Sequence, residues 1–573
     1  VLVSGGWTPT IHLFSQSRGQ VRWSETLGAA IPGKPLQNVS CAGACNGDLV
    51  LADLPGVTVT QTRPAEEKEP ADTVAATATP SAPISGSAFV DFQHDVKAQD
   101  IELAVREGFH SIEHIKRYTT TGMATDQGKT SNINALGVAS RELDRPMSEI
   151  GLTTFRPPYT PVTFGTLAGL SRDGLLEPVR RAPTHEWARS NGAVFEPIGP
   201  WLRARYFPRN GETMAQAVAR ECRATRQAIG ISDASTLGKI EVVGPDAAAF
   251  LDRFYTNPLL KLPVGRCRYV LALGEDGFIY DDGIVARLTT DRFHVTTTTG
   301  GAARVFLNMQ DYLQTEWTDL DVWLTSITEQ WGVIALNGPR ARDLLAPLLP
   351  DIDLDEDTFP HMSVREGRIL DMPLRLFRVS FTGETGFELN VPARFANRLF
   401  AHLVEAGREY GMCPYGTETL HYLRAEKGYM IVGQDLEGGQ TPADMAMAWA
   451  IGRNKADFIG KRSLSRPDMA KKDRLQFVGL RTRNPARVLE EGAQLIWPDQ
   501  QQQEDSAGFV TSAYPSEILG HSIALALVRG GHSRTGEQLE CLMPSGNEMV
   551  SIVDPVFYDP EGLRLRLPER ERE

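Results

Sequence analysis

Residues 229–247 read IGISDASTLGKIEVVGPDA. An apolar run ends at Asp233, a small-polar turn follows, and Lys239–Val243 alternates with β-branched residues as a strand does. GPDA closes the strand, and Ala247–Phe254 has the pattern of a helix. A carboxylate at the mouth of such a turn can sit over a pocket and accept a proton or pair with a cationic nitrogen. An Asp ahead of Ser or Thr also serves as a turn or helix cap, so Asp233 gains meaning only from what stands around it.

The chain has 573 residues, enough for three to five domains. Its 41% hydrophobic and 23% charged residues are ordinary globular values. A formal charge of −13 argues against nonspecific nucleic-acid binding. Six cysteines, with Cys41 and Cys45 the near pair, make neither a disulfide framework nor a four-cysteine metal site; no metal is expected, and a reducing cytoplasm is the simple reading. No run of about 18 apolar residues predicts a membrane span. The abrupt VLVSGG opening is neither a signal peptide nor a natural start, so the expectation is a C-terminal portion of something longer.

Going along the chain, Val1–Gly6 looks like a buried parallel strand whose Gly5-Gly6 end would face a ligand crevice. A short helix at Ile11–Ser17 and a strand at Val21–Trp23 follow, then a small-residue loop at 40–47 that could admit a nucleotide or could simply pack tightly. Residues 61–87, rich in Pro, Ala, Thr and Glu, form a linker. From Phe89 comes a small module with helices at Lys97–Arg106, Ser111–Tyr118 and Val138–Leu143. Thr153–Thr163 reads as extended and Pro178–Pro200 as irregular. An α/β stretch runs from about Gly211 to Arg474, and beyond Gln476 five short strands suggest an antiparallel barrel or sandwich.

Three further patches accompany Asp233. GFIYDDGIV (277–285) carries paired acids, VSFTGETGFELNV (379–391) carries Glu388 beyond a TGETG turn, and LRAEKGYMIVGQDL (423–436) carries Arg424 and Glu426. Read singly, TGETG is a hairpin turn, Glu388 a solvated strand acid, and Arg424 with Glu426 a surface pair worth little. In this order and spacing, from Gly211 onward, they resemble the folate-dependent aminomethyltransferases, the T-proteins of glycine cleavage. WAIGRNKADFIGKRSL and GFVTSAYPSEILGHSIALALV extend the match. The resemblance implies a three-lobed ring about a tetrahydrofolate cavity, ending in a β-barrel. It places Asp233 as the acid facing the reactive folate nitrogens and Glu388 as the carboxylate that grips the pterin edge, where a carboxylate can accept two donors. Arg424 would help position the folate, with Phe381 standing for the family's Tyr, Thr236 for its His, and its Asn falling within Thr296–Thr299, at Thr298.

The first two hundred residues resemble the α subunits of heterotetrameric sarcosine oxidases. FVDFQHDVKAQDIELAVREGFHSIEHIKRYTTTGMATDQGKTSN is also similar to small helical [2Fe–2S] modules, but Asp91, Gln93 and Asp126 stand where cysteines would be. Cluster ligation needs thiolates, so no iron–sulfur cluster is expected. This resemblance implies an α/β and α+β multidomain protein: a nucleotide-binding remnant (1–60), a linker (61–87), a helical module (88–150), a connector (151–184), a folate domain (185–474) and a barrel lobe (475–573). It further implies β, γ and δ partner subunits, FAD and FMN on or shared with the β subunit, and NAD on a longer chain through a remnant including Gly5, Gly6, Ala30 and Ile31. Lys116, Arg117 and Lys129 could offset a flavin phosphate or form a solvated helix end. The implied reaction oxidises sarcosine with oxygen and passes the one-carbon unit to tetrahydrofolate. A dimethylglycine-type oxidase subunit and a non-catalytic scaffold are the alternatives. A tRNA-modification-linked folate protein is disfavoured because Lys427-Gly-Tyr429 lacks that group's cysteine.

Overall fold

The computed structural model describes residues 8–47, 87–498 and 506–566 and separates into two compact units, 1–176 and 177–573. The proposed strand at Val1–Gly6, with Gly5 and Gly6, and most of the 61–87 linker lie outside the described residues.

In the first unit, helix α1 (His12–Gln16) precedes a hairpin of β1 (Val21–Ser24) and β2 (Ala29–Pro32). Ala30 and Ile31 are buried within β2. A second hairpin, β3 (Phe89–Asp91) and β4 (Val96–Lys97), leads into α2 (Ala98–Arg106), α3 (Ile112–Thr119) and α4 (Asn132–Leu143), followed by short α5 (Met147–Ile150) and α6 (Phe164–Ala168). Their apolar faces share a core of Ile101, Ile112, Ile115, Leu136 and Val138. The residues at the cysteine positions stitch this module together by hydrogen bonds. Asp91 accepts the amides of Gln93 (3.0 Å), His94 (3.2 Å) and Gly122 (2.8 Å), while Gln93 accepts from Thr125 and Asp126 from the Gly128 amide. Among the described residues no group of three or more His, Cys, Asp or Glu is arranged to hold a metal ion.

The second unit opens with β5 (Arg180–Arg181), α7 (His185–Ser190), β6 (Val194–Ile198) and β7 (Trp201–Tyr206). The stretch expected to be irregular, 178–200, is therefore β5, α7 and β6, and its two strands form with β7 a three-stranded sheet ordered β5-β7-β6. Its prolines obscure the pattern, but Pro197 sits on β6, an edge strand, where a missing amide is tolerated. Then come α8 (Met214–Gln227), β8 (Ile229–Asp233), β9 (Gly238–Val243), α9 (Ala247–Phe254), β10 (Cys267–Leu273), β11 (Ile279–Arg287), β12 (Arg292–Thr297), α10 (Ala302–Thr315), β13 (Trp323–Ser326) and β14 (Trp331–Asn337). They continue with α11 (Ala341–Leu345), β15 (Ser363–Ile369), β16 (Met372–Arg378), β17 (Gly386–Pro392), α12 (Ala393–Ala406), β18 (Met412–Pro414) and α13 (Thr417–Glu426). The strands from β19 (Leu475–Thr482) through β20 (Gln494–Ile496), β21 (Gly508–Ser516), β22 (His521–Arg529), β23 (Gln538–Leu542) and β24 (Glu548–Val553) close into a barrel.

The stretch 229–247 spans two sheets. Its apolar run is β8, in the six-stranded sheet β15-β16-β17-β14-β8-β18, and only four residues later β9 enters the five-stranded sheet β10-β11-β12-β9-β13. Each sheet buries one face under its own helices. Ile240, Val242 and Val295 pack on Phe250, Phe254 and Met309; Ile231, Ile334 and Leu389 pack on Leu399, Phe400 and Leu403. The two lobes repeat one local device, a strand ended by Gly-Pro before a helix. Gly244 (φ 141°) and Gly338 (φ 133°) hold backbone that a side chain could not share, since a Cβ would come 2.2 Å from the Asp321 carbonyl oxygen and 2.3 Å from that of Ala228.

Buried ion pairs join the lobes. Arg226, near the end of α8, reaches Glu426 of α13 (2.7 Å), Glu384 of the TGETG loop (3.1 Å) and the Thr382 carbonyl (2.7 Å), and its guanidinium lies 4.0 Å from the centre of the Tyr558 ring. Tyr558 and Ser516 complete the set by donating to Glu384 and Glu426. Arg424 bonds Asp435, the Ser512 hydroxyl and the Tyr429 carbonyl, while Thr511 and Ser512 of the barrel donate to Asp435. Arg424 and Glu426 are thus fully buried and belong to separate networks; they are not a surface pair. Removing one partner of a buried pair strands the other charge. Arg226→Ala should therefore lower the unfolding free energy by about 3–5 kcal/mol in denaturant titrations. Breaking the exposed Arg223–Glu517 pair with Arg223→Ala should cost about 1 kcal/mol or less.

Candidate functional site

Strand register decides which acids can meet. Ala335 of β14 pairs with Glu388 on one side and Ser232 on the other, so these three side chains share one face of the six-stranded sheet. Its neighbour Ile334 pairs with Leu389 and Asp233, which places Asp233 on the opposite, core-side face. Glu388 and Asp233 are therefore not brought together as expected. Asp233 is committed to local bonds, accepting from the Thr184 hydroxyl, the Thr184 amide (3.3 Å) and the Ser235 amide (2.8 Å). It caps the turn that follows it and stands at the margin of a small cavity.

The face bearing Glu388 meets the five-stranded sheet. Phe377, paired with Glu388, packs with Val379 against Ile284 and Ala286 of β11. Alternation along β11 puts Asp282 on the same side as Ile284 and Ala286, and sends Asp281 to the other. The acid opposite Glu388 thus comes from the GFIYDDGIV patch, to which the sequence reading gave no role. The Tyr269 hydroxyl donates to Asp282 at 2.7 Å. Lys239 and Thr296, paired across β9 and β12, line the same face. Lys239 is fully buried, donates to the carbonyls of Ser235 and Leu237 (both 2.8 Å), and attracts both Asp233 and Glu388. It too was missed: within an alternating strand a lysine reads as solvent-facing, and only the second sheet makes that face interior.

Desolvation sets the electrostatics. It pushes Glu388 up to about 7, with Lys239 pulling the other way, and Asp282 up to about 6, against the Tyr269 hydrogen bond. Lys239 is lowered to about 8 by its burial. Among the described residues no hydrogen bond engages the Glu388 carboxylate, which leaves both oxygens for a ligand. Two acids that titrate near neutrality, one cation and a tyrosine hydroxyl can bind paired N–H donors and hold or release a proton.

The other expected residues have definite places. Thr296 accepts the Ile284 amide (3.0 Å) and joins β12 to β11. Thr298 donates to Asp281 (2.6 Å), a buried acid raised to about 7 by desolvation and then by Asp282. Phe381, 36% exposed, stacks on Tyr429 at 5.9 Å. Arg424 offers a ligand nothing, because its guanidinium is enclosed by Asp435, Ser512 and Tyr429. Thr236 bonds Thr299 (3.0 Å) and so ties the β8–β9 turn to β12.

The first unit has its own cavity, of about 370 Å³, lined by Lys116, Arg117, Gly122, Met123 and Arg156 among others. Arg117 is also paired with Glu113 at 2.9 Å. Arg156 replaces Lys129 in the expected basic trio. Lys129 turns instead onto the Tyr159 ring, 4.1 Å from its centre, and that ring stacks on His12. Ala30 and Ile31 contribute to the packing of β2 and line neither this cavity nor the small one beside Asp233.

The GCVT N-terminal domain family matches residues 184–455, the sarcosine oxidase A3 domain family residues 85–170, and the glycine cleavage T-protein C-terminal barrel family residues 476–559. The sarcosine oxidase subunit alpha of Corynebacterium sp. (strain P-1) is 42% identical over 98% of this chain and 61% of its own length. That of Rhizobium meliloti (strain 1021) is 41% identical over 99% and 59%. The chain thus spans about three fifths of these relatives. An aminomethyltransferase of Corynebacterium aurimucosum is 33% identical over 61% of this chain and 89% of the relative. The crystal structure of the glycine cleavage system aminomethyltransferase T from Bartonella henselae shares the fold, with a TM-score of 0.59 and 24% identity over 68% of this chain and 100% of that one. The chain belongs to the aminomethyltransferase family of glycine cleavage T-proteins, and along nearly its whole length it is similar to sarcosine oxidase α subunits.

Proposed function

We propose that this chain is the folate-handling portion of the α subunit of a sarcosine oxidase complex. Sarcosine is oxidised to its imine elsewhere in the assembly, with oxygen as acceptor and hydrogen peroxide as product. Tetrahydrofolate, held between the two sheets, then takes the imine carbon. That carbon bonds to N5 and N10 as its bond to nitrogen breaks, and the two displaced hydrogens go to the nitrogen that leaves as glycine. The product is 5,10-methylenetetrahydrofolate. Enclosure suits a carbon that water would otherwise release as formaldehyde.

The observation that carries this reading is Glu388: an acid with both oxygens free, desolvated between two sheets and balanced by one buried lysine. Ionised, it accepts the two-donor edge of a pterin bidentately. Asp282, kept near its proton-transfer range by burial and oriented by Tyr269, is the group suited to relay a proton at the folate nitrogens. It takes the role that the resemblance to the aminomethyltransferases implied for Asp233. Thr296 and Phe381 shape the surrounding wall, and Arg424 and Thr298 act through the residues they hold.

The basic cleft of the first unit fits the phosphate of a flavin shared with a β subunit, with Lys116, Arg117 and Arg156 as its donors. A flavin there would supply the two-electron oxidation. The γ and δ subunits, and NAD on a longer chain, belong to the same proposal.

Calorimetric titration of tetrahydrofolate into the full chain tests the folate reading. Glu388→Ala should weaken binding by about 1.5–3 kcal/mol, the worth of a charge-assisted contact. A folded parent chain that binds no tetrahydrofolate would overturn the proposal. Binding should also tighten as pH rises through about 7, where Glu388 ionises, and Glu388→Gln should flatten that slope. In the absence of ligand the same acid acts on stability with the opposite sign. Its folded value lies above the ordinary 4.5, so the folded state holds the proton more tightly. The stability it contributes is complete below pH 4.5 and is lost as pH rises through about 7. Glu388→Gln should match the parent near pH 4 and exceed it in stability at pH 8, as read by denaturant midpoints.

A further inference from the structure

The first unit ends, at Leu176, in a stretch that its own core does not cover. Residues 161–176 read PVTFGTLAGLSRDGLL, and all but the half-buried Ala168 are exposed. Phe164 is 90% exposed, Leu170 89%, Leu175 75% and Leu167 71%, with Val162 and Leu176 also open. Among the described residues none of these side chains belongs to the core of the unit. The backbone is nevertheless shaped. Thr163 caps α6 by accepting the Thr166 amide (3.2 Å), and Arg172 reaches back to the Gly165 carbonyl (3.2 Å). Six large apolar side chains facing water together are costly and mark a surface that another body covers. They expose on the order of 700 Å², close to the roughly 800 Å² that each partner brings to a stable complex. Arg172 and Asp173 are the only charged residues of the run, which matches the depletion of charge at the centre of an interface.

Position points to the occupant. Pro158, Pro161 and Val162 are also walls of the basic cleft of this unit. Gln127 fixes the chain there, donating to the carbonyls of Arg156 (2.6 Å) and Pro158 (3.0 Å) and accepting the Arg156 amide (2.7 Å). The apolar run therefore starts at the rim of the cleft. We infer that residues 162–176 are a strap that docks in an apolar groove of the flavin-bearing β subunit. The inference rests on the functional reading above, which seats that subunit's flavin phosphate on Lys116, Arg117 and Arg156. A subunit that presents a flavin to the cleft meets Val162 first, and the run carries the contact onward through Phe164, Leu167 and Leu170. Phe164 and Leu167, three residues apart on α6, share a side of the helix and are the anchors that a hydrophobic groove takes. The cations of the cleft form the electrostatic end of the same interface, where they set orientation.

Hydrogen–deuterium exchange and sedimentation of the full chain, alone and with the purified β subunit, test the assignment. Exchange at 162–176 should be fast in the chain alone and at least tenfold slower in the complex. Phe164→Asp combined with Leu170→Asp should weaken β binding at least tenfold. The thermal midpoint of the chain should stay unchanged, which shows the double variant to be folded. Absence of β binding overturns the proposal, as does β affinity indifferent to the double substitution. So does protection of 162–176 in the chain alone. In a monomer it would mean that the run packs within the chain, and in a concentration-dependent dimer that a second copy covers it. Tetrahydrofolate affinity, measured on the same samples, reads the folate site separately. Strap-dependent β binding by a chain that takes up no tetrahydrofolate would support the docking surface and strike the folate reading instead.

Discussion

The guanidinium of Arg226 is the point on which the second unit turns. It accepts burial at 3% exposure because two carboxylates, two carbonyls and an aromatic ring enclose it. Those groups come from α13, the loop after β16, and the C-terminal segment beyond the barrel. Charges in so dry a place repay their desolvation only when every lone pair and proton is used. The Ser516 and Tyr558 hydroxyls finish that accounting. Arg424 and Asp435 form a second buried pair at the barrel wall, one in which, among the described residues, the Arg424 Nε is left without a partner. The lobes are thus fixed to one another by directional bonds, which specify a geometry more sharply than apolar contact does.

The candidate site draws on a bond of the same kind. Arg375 of β16 reaches Glu241 of β9 at 3.0 Å and so ties the sheet that carries Glu388 to the one that carries Asp282, with Lys239 as the buried cation between the β8–β9 turn and Glu388. Burial raises both acids because the surrounding dielectric is low and few donors reach them. The same low dielectric strengthens any bond a ligand makes there. A site of this kind stores unmet acceptor capacity, and its stored cost is released when a ligand with matching donors enters.

Much of this was legible in the sequence. The β9–α9 unit followed from alternation and from GPDA, the barrel from evenly spaced short strands, and the chemistry-bearing patches from their order. Side-chain function was harder to read. TGETG looked like a turn, yet its Glu384 is a lobe anchor; Arg424 looked like a ligand contact, yet it is walled in. Asp233 and Asp282 could be distinguished only through register, because a strand sends consecutive residues to opposite faces and the sequence does not say which face has a second sheet above it. Lys239 was hidden for the same reason. Arg203, at the small cavity beside Asp233, lay just past the stretch read as irregular, in a strand that the sequence reading did not assign.

The four-residue crossing from β8 to β9 also bears on how the chain is made. β8 is the interior strand between β14 and β18, at residues 331–337 and 412–414, and its pairing with β18 is parallel. On a ribosome β8 emerges long before either neighbour, and the wait for β18 is on the order of ten seconds at ordinary elongation rates. Until β14 emerges its apolar residues Ile229 and Ile231 and both of its edges are open to other chains, and the edge that will take β18 stays open for the whole interval. The five-stranded lobe, from β9 to β13, is complete much earlier. Synthesis therefore produces one finished lobe tethered to a second whose strand β8 has met β14 but still presents its other edge, a species that nascent-chain chaperones are suited to shield.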